Sequence, residues 1–490
     1  MPDQAIGAID RAMAEASARR RSGSLRLGRA ARVARPIARP ATVEEQTEVD
    51  EPTESVDGNA LDGIVLTSLA LQFLSAGVLF IPGAQPLRSY IRALPYLAAL
   101  MPLGYYITRH VRGWRPAGAL ALIGALFVLT LNLLHPNTQL AAGVAQCLFQ
   151  LAIAAPTFWM SRAIRSKTQF QRMLTLIFLM NFVSAGLGIL QVYDPDRFLP
   201  SQFSGQLRDD YLGSLTYLGS DGRVITRPPG LSDVPGGAAV AGGVTAMLGL
   251  GLSFRATSPW QMIGALIAVA VGVAVVYLTQ VRSVFLMVVV GAAVLTLMAF
   301  KIGRLARASW LLIGGTAIIV ASFLWASSLG GNTVNDRFLN IGQQGAVGVF
   351  QQNRGSFLDE TLGTLLNEYP FGAGVGRWGM MNSSFADQNA FGSTPIHVEI
   401  QLTGWLLDGG VPMWLLYGGA IVLSIFAAFR LTASNDPVLA DLAVIALGLQ
   451  VFIAGLAMAG PIFNTQMGIL FWSCAASLQG AAIASQRRLT

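Results

Sequence analysis

Between Gln261 and Phe300 the chain runs for forty residues with one formal charge, Arg282. As a single α-helix at 1.5 Å per residue this run would reach about 60 Å, twice the ~30 Å hydrocarbon core of a bilayer. It must therefore fold back as a hairpin near Gln280, Arg282 and Ser283, with both arms apolar enough to lie in a membrane.

The same pattern recurs along most of the chain. Twelve apolar stretches are compatible with spanning helices, at about 61–81, 89–107, 117–134, 138–160, 173–192, 235–254, 261–279, 284–300, 309–329, 406–429, 438–458 and 465–484. Only 12% of the residues are charged, against roughly 25% in soluble domains, and 53% are hydrophobic, with a mean hydropathy of +0.54. An ordinary soluble enzyme is excluded. The alternating segments of roughly ten residues that a transmembrane β-barrel requires are absent. The expected fold is an all-α polytopic membrane protein with about twelve transmembrane helices. Cys147 and Cys474 both fall inside apolar runs, so neither a disulfide framework nor a cysteine metal site is expected.

Residues 1–58 differ in composition, with nine arginines between Arg11 and Arg39 followed by seven acids between Glu44 and Asp57. This pattern reads as a disordered cytoplasmic tail rather than a secretory signal, because the first apolar run begins only near Leu61 and is long enough to span. Residues 59–490 form the membrane domain. Basic residues cluster in alternate short connections, at Arg109, Arg112 and Arg115, at Arg162, Arg165, Lys167 and Arg172, at Lys301, Arg304 and Arg307, and at the tail in Arg487 and Arg488. Twelve spans put all of these on one side, so both termini are expected in the cytoplasm. The net charge of +7 is thereby explained by topology, without nucleic acid. Two long connections, about 193–234 and about 330–405, are then extracytoplasmic, and the second is expected to contain short helices.

These loops carry arginines on the side where topology does not call for them: Arg197, Arg208, Arg223 and Arg227 in the first, and Arg337, Arg354 and Arg377 in the second. Arg282 interrupts the apolar hairpin, a costly position unless the guanidinium snorkels to headgroups or faces an anionic ligand at the outer surface. An amphipathic stretch from Arg354 to Tyr369 has Asn353 as a candidate cap and is ended by Pro370. Pro370-Phe371-Gly372-Ala373-Gly374-Val375-Gly376-Arg377-Trp378 follows it. That glycine alternation follows a helix, not a strand, so it is no dinucleotide fingerprint and reads equally as a turn. His110 and His135 read as structural; His397 lies two residues before Glu399, where the second loop re-enters the membrane. No metalloprotease, Walker A, serine-hydrolase or calcium-loop pattern is present.

Taken together, four segments resemble the membrane O-antigen ligase and bacterial polysaccharide polymerase superfamily, glycosyltransferases of the GT-C type. Arg227-Pro228-Pro229-Gly230-Leu231-Ser232-Asp233-Val234-Pro235 is similar to the family's R-x-x-G segment, and Leu278-Thr279-Gln280-Val281-Arg282-Ser283 to its T-x-S-R hairpin, with Val281 at the usual serine. Arg354, followed by the glycine segment, resembles the arginine-headed periplasmic helix. His397, with Asp408-Gly409-Gly410-Val411-Pro412 after it, resembles the H-N-x-x-L segment running into an E-x-G turn, with Val398 replacing the usual polar neighbour.

The resemblance implies a GT-C-like fold in the bacterial cytoplasmic membrane and chemistry at its periplasmic side. The donor would be a glycan on undecaprenyl diphosphate, and the acceptor either another glycan, for a polymerase, or lipid A-core, for a ligase. It implies inverting transfer without cofactor or metal, with Arg282, Arg354 and Arg227 on the diphosphate, and His397 or Glu399 as the base. Arg377, Gly374 and Gly376 would belong to a substrate loop. Membrane lipid and other polysaccharide assembly proteins are the further partners implied. A polymerase is the favoured expectation, a ligase the first alternative, and a lipid-sugar flippase or other transporter the second.

Overall fold

The computed structural model describes residues 58–78, 81, 83, 87–108, 115–199, 216–218, 224–232, 236–330, 334–336, 338, 343, 345, 347, 348, 350–387 and 396–487. The expected tail, all but its last residue, lies outside the described residues, as do Arg109, His110, Arg112, Arg208, Arg223, Arg337 and Arg488.

Helices occupy every one of the twelve apolar stretches: α1 (Gly58–Val78), α2 (Arg88–Thr108), α3 (Ala119–Leu131), α4 (Leu140–Ala163), α5 (Lys167–Tyr193), α6 (Gly237–Arg255), α7 (Pro259–Thr279), α8 (Arg282–Lys301), α9 (Leu305–Gly330), α10 (Gln401–Leu431), α11 (Pro437–Leu456) and α12 (Gln466–Arg487). Among the described residues nine of them, α4 to α12, are long and apolar enough to cross a membrane. The chain is thus a polytopic helical membrane protein. Shorter apolar stretches lie within α1 and at α3, while α2 carries Pro95 and Pro102 in its interior.

The Gln261–Phe300 run does fold back, and its turn is two residues long. α7 ends at Thr279, and Gln280, buried and at φ 54°, is the one described non-glycine residue in the left-handed region. That conformation costs of order 1–2 kcal/mol for an L-residue, and it directs Val281 and Arg282 straight into α8.

Two ends of the bundle follow from this connectivity. At one end lie the short connections α4–α5, α6–α7, α8–α9 and α10–α11, and there the basic residues find acids. Lys167 Nζ lies 2.5 Å from Asp436 Oδ2, while Arg304 and Arg307 lie 3.3 and 3.8 Å from the two oxygens of Asp441. Lys301 sits over the ring of Phe429, 3.9 Å from its centroid. At the opposite end lie the α7–α8 turn and the two long connections. The core is built on large buried side chains, Trp405, Tyr417, Phe463 and Trp472 among them, and Trp472 Nε1 donates to Tyr417 Oη at 3.1 Å.

Within the first long connection Thr216–Leu218 (β1) pairs antiparallel with Val224–Thr226 (β2). Three expectations need correction. The second connection is already helical at Phe350, so Asn353 lies inside the helical stretch and is not its cap. α10 starts at Gln401, before the boundaries drawn for the loop and the span. The segment Asp408–Pro412, likened to an E-x-G turn although it falls inside the span expected at 406–429, is a kink within α10, where Gly410 takes φ 65° and ψ −159°. A Cβ at Gly410 would meet the Pro370 carbonyl oxygen at 2.2 Å, so only glycine fits there.

The two ends give a direct test. Cysteines placed at exposed Ser383 and exposed Ala433, on a background lacking Cys147 and Cys474, should react with an impermeant thiol reagent from opposite faces of sealed vesicles. Labelling of both from one face would refute this division of the bundle.

Candidate functional site

The helical stretch from Gln351 to Glu368, in alternating π and α turns, forms a cap over the start of α10. Such π turns inside α-helical stretches are frequent at functional sites. Thr361 Oγ1 lies 2.6 Å from Thr403 Oγ1, one hydroxyl donating to the other, and so fixes the cap to α10. This docking brings Arg354 of the cap onto Glu399, which immediately precedes α10, in an ion pair. The other oxygen of the same carboxylate, Glu399 Oε1, lies 2.6 Å from His397 Nε2. Glu399 therefore joins two of the predicted site residues.

Arg354 and Glu399 are about two-thirds buried at the side chain, with 33% and 26% exposed, whereas His397 is 71% exposed. Phe357, one turn along the cap from Arg354, sits with its ring centroid 6.0 Å from that of His397. Burial, and next the neighbouring Arg227 cation, push the Arg354 guanidinium below its ordinary value. Arg227 follows β2 directly and leads through Pro228 and Pro229 to α6. Two guanidinium groups and one carboxylate are thus gathered beside a solvent-facing imidazole. Arg282 occupies the same end of the bundle as the first residue of α8, and the preceding Val281 packs against Gly236 ahead of α6.

Arg377, Gly374 and Gly376 belong to a different construction. The turn Pro370–Trp378 is largely buried between α4, α10 and the short α3–α4 connection. Ala373 N donates to Leu407 O at 2.8 Å, Val411 N to Pro370 O at 2.9 Å, and Val375 N to Thr138 Oγ1 at 3.0 Å. Gly376, at φ 75°, approaches α4 so closely that a Cβ would lie 2.6 Å from Ala142 O. Gly374 is also buried at positive φ, beside Thr138 and His135. Both glycines have a packing role in this turn. Arg377 is half-buried, with Nη1 donating to Ala373 O at 3.1 Å.

The centre of that construction is Asp408, the acid of the α10 kink, which sequence reading touched only as part of a glycine motif. It has no solvent exposure. Gln146 Nε2 of α4 donates to Oδ2 at 2.9 Å, Trp378 Nε1 to Oδ1 at 2.9 Å, and the Gly376 backbone N–H to the same carboxylate. The available signal was a lone carboxylate at the start of an apolar run, a placement that is expensive unless it has a task. Among the described residues, no three His, Cys, Asp or Glu side chains gather where they could hold a metal ion.

Compared with known proteins, the chain matches no protein-family model and no curated protein.

His135 supplies a pH test of the glycine turn. Burial, and then the Arg377 cation, hold its imidazole below the ordinary value of 6.5. The unfolded chain therefore binds a proton that the folded chain resists, and stability should fall as pH drops below about 6.5 toward the folded value. The melting temperature between about pH 7 and about pH 5 should decline more steeply in the native protein than in His135→Gln. Parallel curves would remove His135 from the turn's energetics.

Proposed function

We propose that this chain is a bacterial surface-polysaccharide polymerase. It would transfer a glycan from undecaprenyl diphosphate to an acceptor sugar hydroxyl at the outer face of the cytoplasmic membrane, with inversion. The observation that carries the reading is Glu399 joining Arg354 and His397 under a cap, with Arg227 adjacent, on the end of the bundle opposite the short basic connections. Basic short connections favour the cytoplasmic side, which puts both termini inside and the cluster outside.

The chemistry follows from these groups. The acceptor oxygen attacks the anomeric carbon, the bond from that carbon to the diphosphate oxygen breaks, and negative charge collects on the leaving group. Arg354 pairs with Glu399 through Nη1, and a guanidinium has five N–H donors, so its remaining donors are suited to phosphate oxygens. Arg227 adds a second cation, and Arg282 a third from the head of α8. With Glu399 accepting from Nε2–H, His397 presents Nδ1 to take the acceptor's proton. Glu399 then stabilises the imidazolium and is not itself the base. A ligase would use the same donor and leaving group with lipid A-core as acceptor.

Incubation of purified protein with a lipid-diphosphate glycan should yield lengthened glycan and free undecaprenyl diphosphate, also in excess chelator. Arg354→Ala and Arg282→Ala should each lower kcat/KM by about 30-fold or more, since a desolvated charge-assisted contact is worth roughly 2 kcal/mol and each 1.36 kcal/mol is tenfold. His397→Ala should lower kcat with little change in KM, because a base acts in the transition state. Glu399→Gln should reproduce a milder form of both defects. Wild-type rates in all four variants would refute the site. Gene deletion that leaves lipid-linked polymer intact but strips long chains from lipid A would replace polymerase by ligase, and absence of any transfer would favour a transporter.

A further inference from the structure

At the same end of the bundle as the cluster lies a cavity of about 570 Å³. Ligand pockets typically span about 300–1,000 Å³. Its walls come from α1, α2, α4, α5, α6 and α12, together with Leu231 and Ser232 downstream of Arg227 and the segment that begins at Trp378. None of the residues predicted for the diphosphate or the base lines it. The cavity is a separate space that shares two wall segments with the site described above.

Its lining is that of an amphiphile site. Deep apolar surface is provided by residues such as Leu69, Phe73, Phe149 and Leu470. Set into it are neutral hydrogen-bonding groups, the amides of Gln72, Gln146, Asn181 and Asn464 and the hydroxyls of Ser184 and Thr465. Among the described residues no carboxylate lines it, and the one cation is Arg92, whose Nη1 lies 3.9 Å from Met380 Sδ. Gln72 is buried, and its amide nitrogen has no hydrogen-bond partner among the described residues, which leaves a donor for a ligand to satisfy. Trp378 and Tyr96 add aromatic faces of the kind that pack on the C–H faces of sugar rings. Two of the wall residues, Gln146 and Trp378, are held by Asp408, so that part of the wall is fixed before any ligand arrives.

We propose that this cavity binds a sugar-headed lipid, with its chain among the helices and its hydroxyl groups on the amides. Among the described lining residues, one cation against many neutral donors and acceptors favours a hydroxylated head over a phosphate head. That the occupant is the acceptor of glycan transfer rests on the glycosyltransferase reading; that it is a sugar-headed lipid does not.

The test is photolabelling of the full chain in phosphatidylcholine discs. The probes are a dodecyl maltoside and a phosphatidylglycerol, each with a diazirine in an alkyl chain. The maltoside probe should label α1, α2 or α4 saturably and be competed by unlabelled dodecyl maltoside. Gln72→Leu and the cavity-filling Ala241→Trp should each cut labelling at least tenfold, whereas Arg354→Ala should leave it unchanged. Normal melting of Gln72→Leu guards against misfolding of the tryptophan variant. Preferential labelling by phosphatidylglycerol would replace the sugar-headed occupant by a phospholipid, and unsaturable labelling by both would overturn the site even in an active transferase. Saturable maltoside labelling of a protein without transferase activity would support the site and remove only the acceptor role.

Discussion

A carboxylate buried among apolar helices, Asp408, organises the loop-bearing end of this protein. In a low-dielectric interior an acid is costly unless its oxygens are satisfied, and here three donors from three places converge on it. Gln146 comes from α4, Trp378 from the end of the glycine turn, and the Gly376 amide from the turn itself. For the amide to reach, the turn must press onto α4, and the Ala142 carbonyl then leaves no room for a Cβ at position 376. For the acid to face the turn, α10 must kink, and Gly410 supplies the kink against Pro370. The glycine spacing, the kink and one wall of the cavity all meet at the same buried acid.

Most of the architecture was legible because it follows from one strong requirement, that apolar runs of spanning length be helical in a membrane. The hairpin was readable from length alone, since no straight helix of forty residues fits a bilayer. The positions that misled depend on contacts between distant segments. Asp408-Gly409-Gly410-Val411-Pro412 has the composition of a turn, and in the fold it is a kink within α10 whose Gly410 packs against Pro370 and Phe371. Asn353 has the chemistry of a cap, but the helical turn begins before it. The left-handed conformation of Gln280 has no local marker, because the residue type that ordinarily signals it is glycine.

The candidate site divides in the same way. Arg354, Glu399 and His397 could each be singled out by type and expected side of the membrane, yet their union through one carboxylate is a tertiary contact of the cap, which also meets α10 at Thr361–Thr403. The cavity could not be read at all, since its walls are drawn from segments as far apart as Leu69 and Leu470. Arg377 and the two glycines were grouped with the substrate by the family resemblance, and in the fold both glycines are packed closely within the buried turn.

Electrostatics then decides what such a cluster can hold. Arg227 lowers the proton affinity of Arg354, so the two cations are close enough to repel, and burial weakens the solvent screening that would relieve them. Glu399 offsets one of these charges and spends its second oxygen on His397. A neutral sugar would leave the repulsion in place, and a cation would add to it. An anion with several oxygens relieves both guanidinium groups at once, and the benefit grows as charge develops on it. In the proposed reaction the diphosphate is most negative as the glycosidic bond breaks, so the arrangement favours the transition state over the bound donor. That is the difference on which a rate enhancement depends.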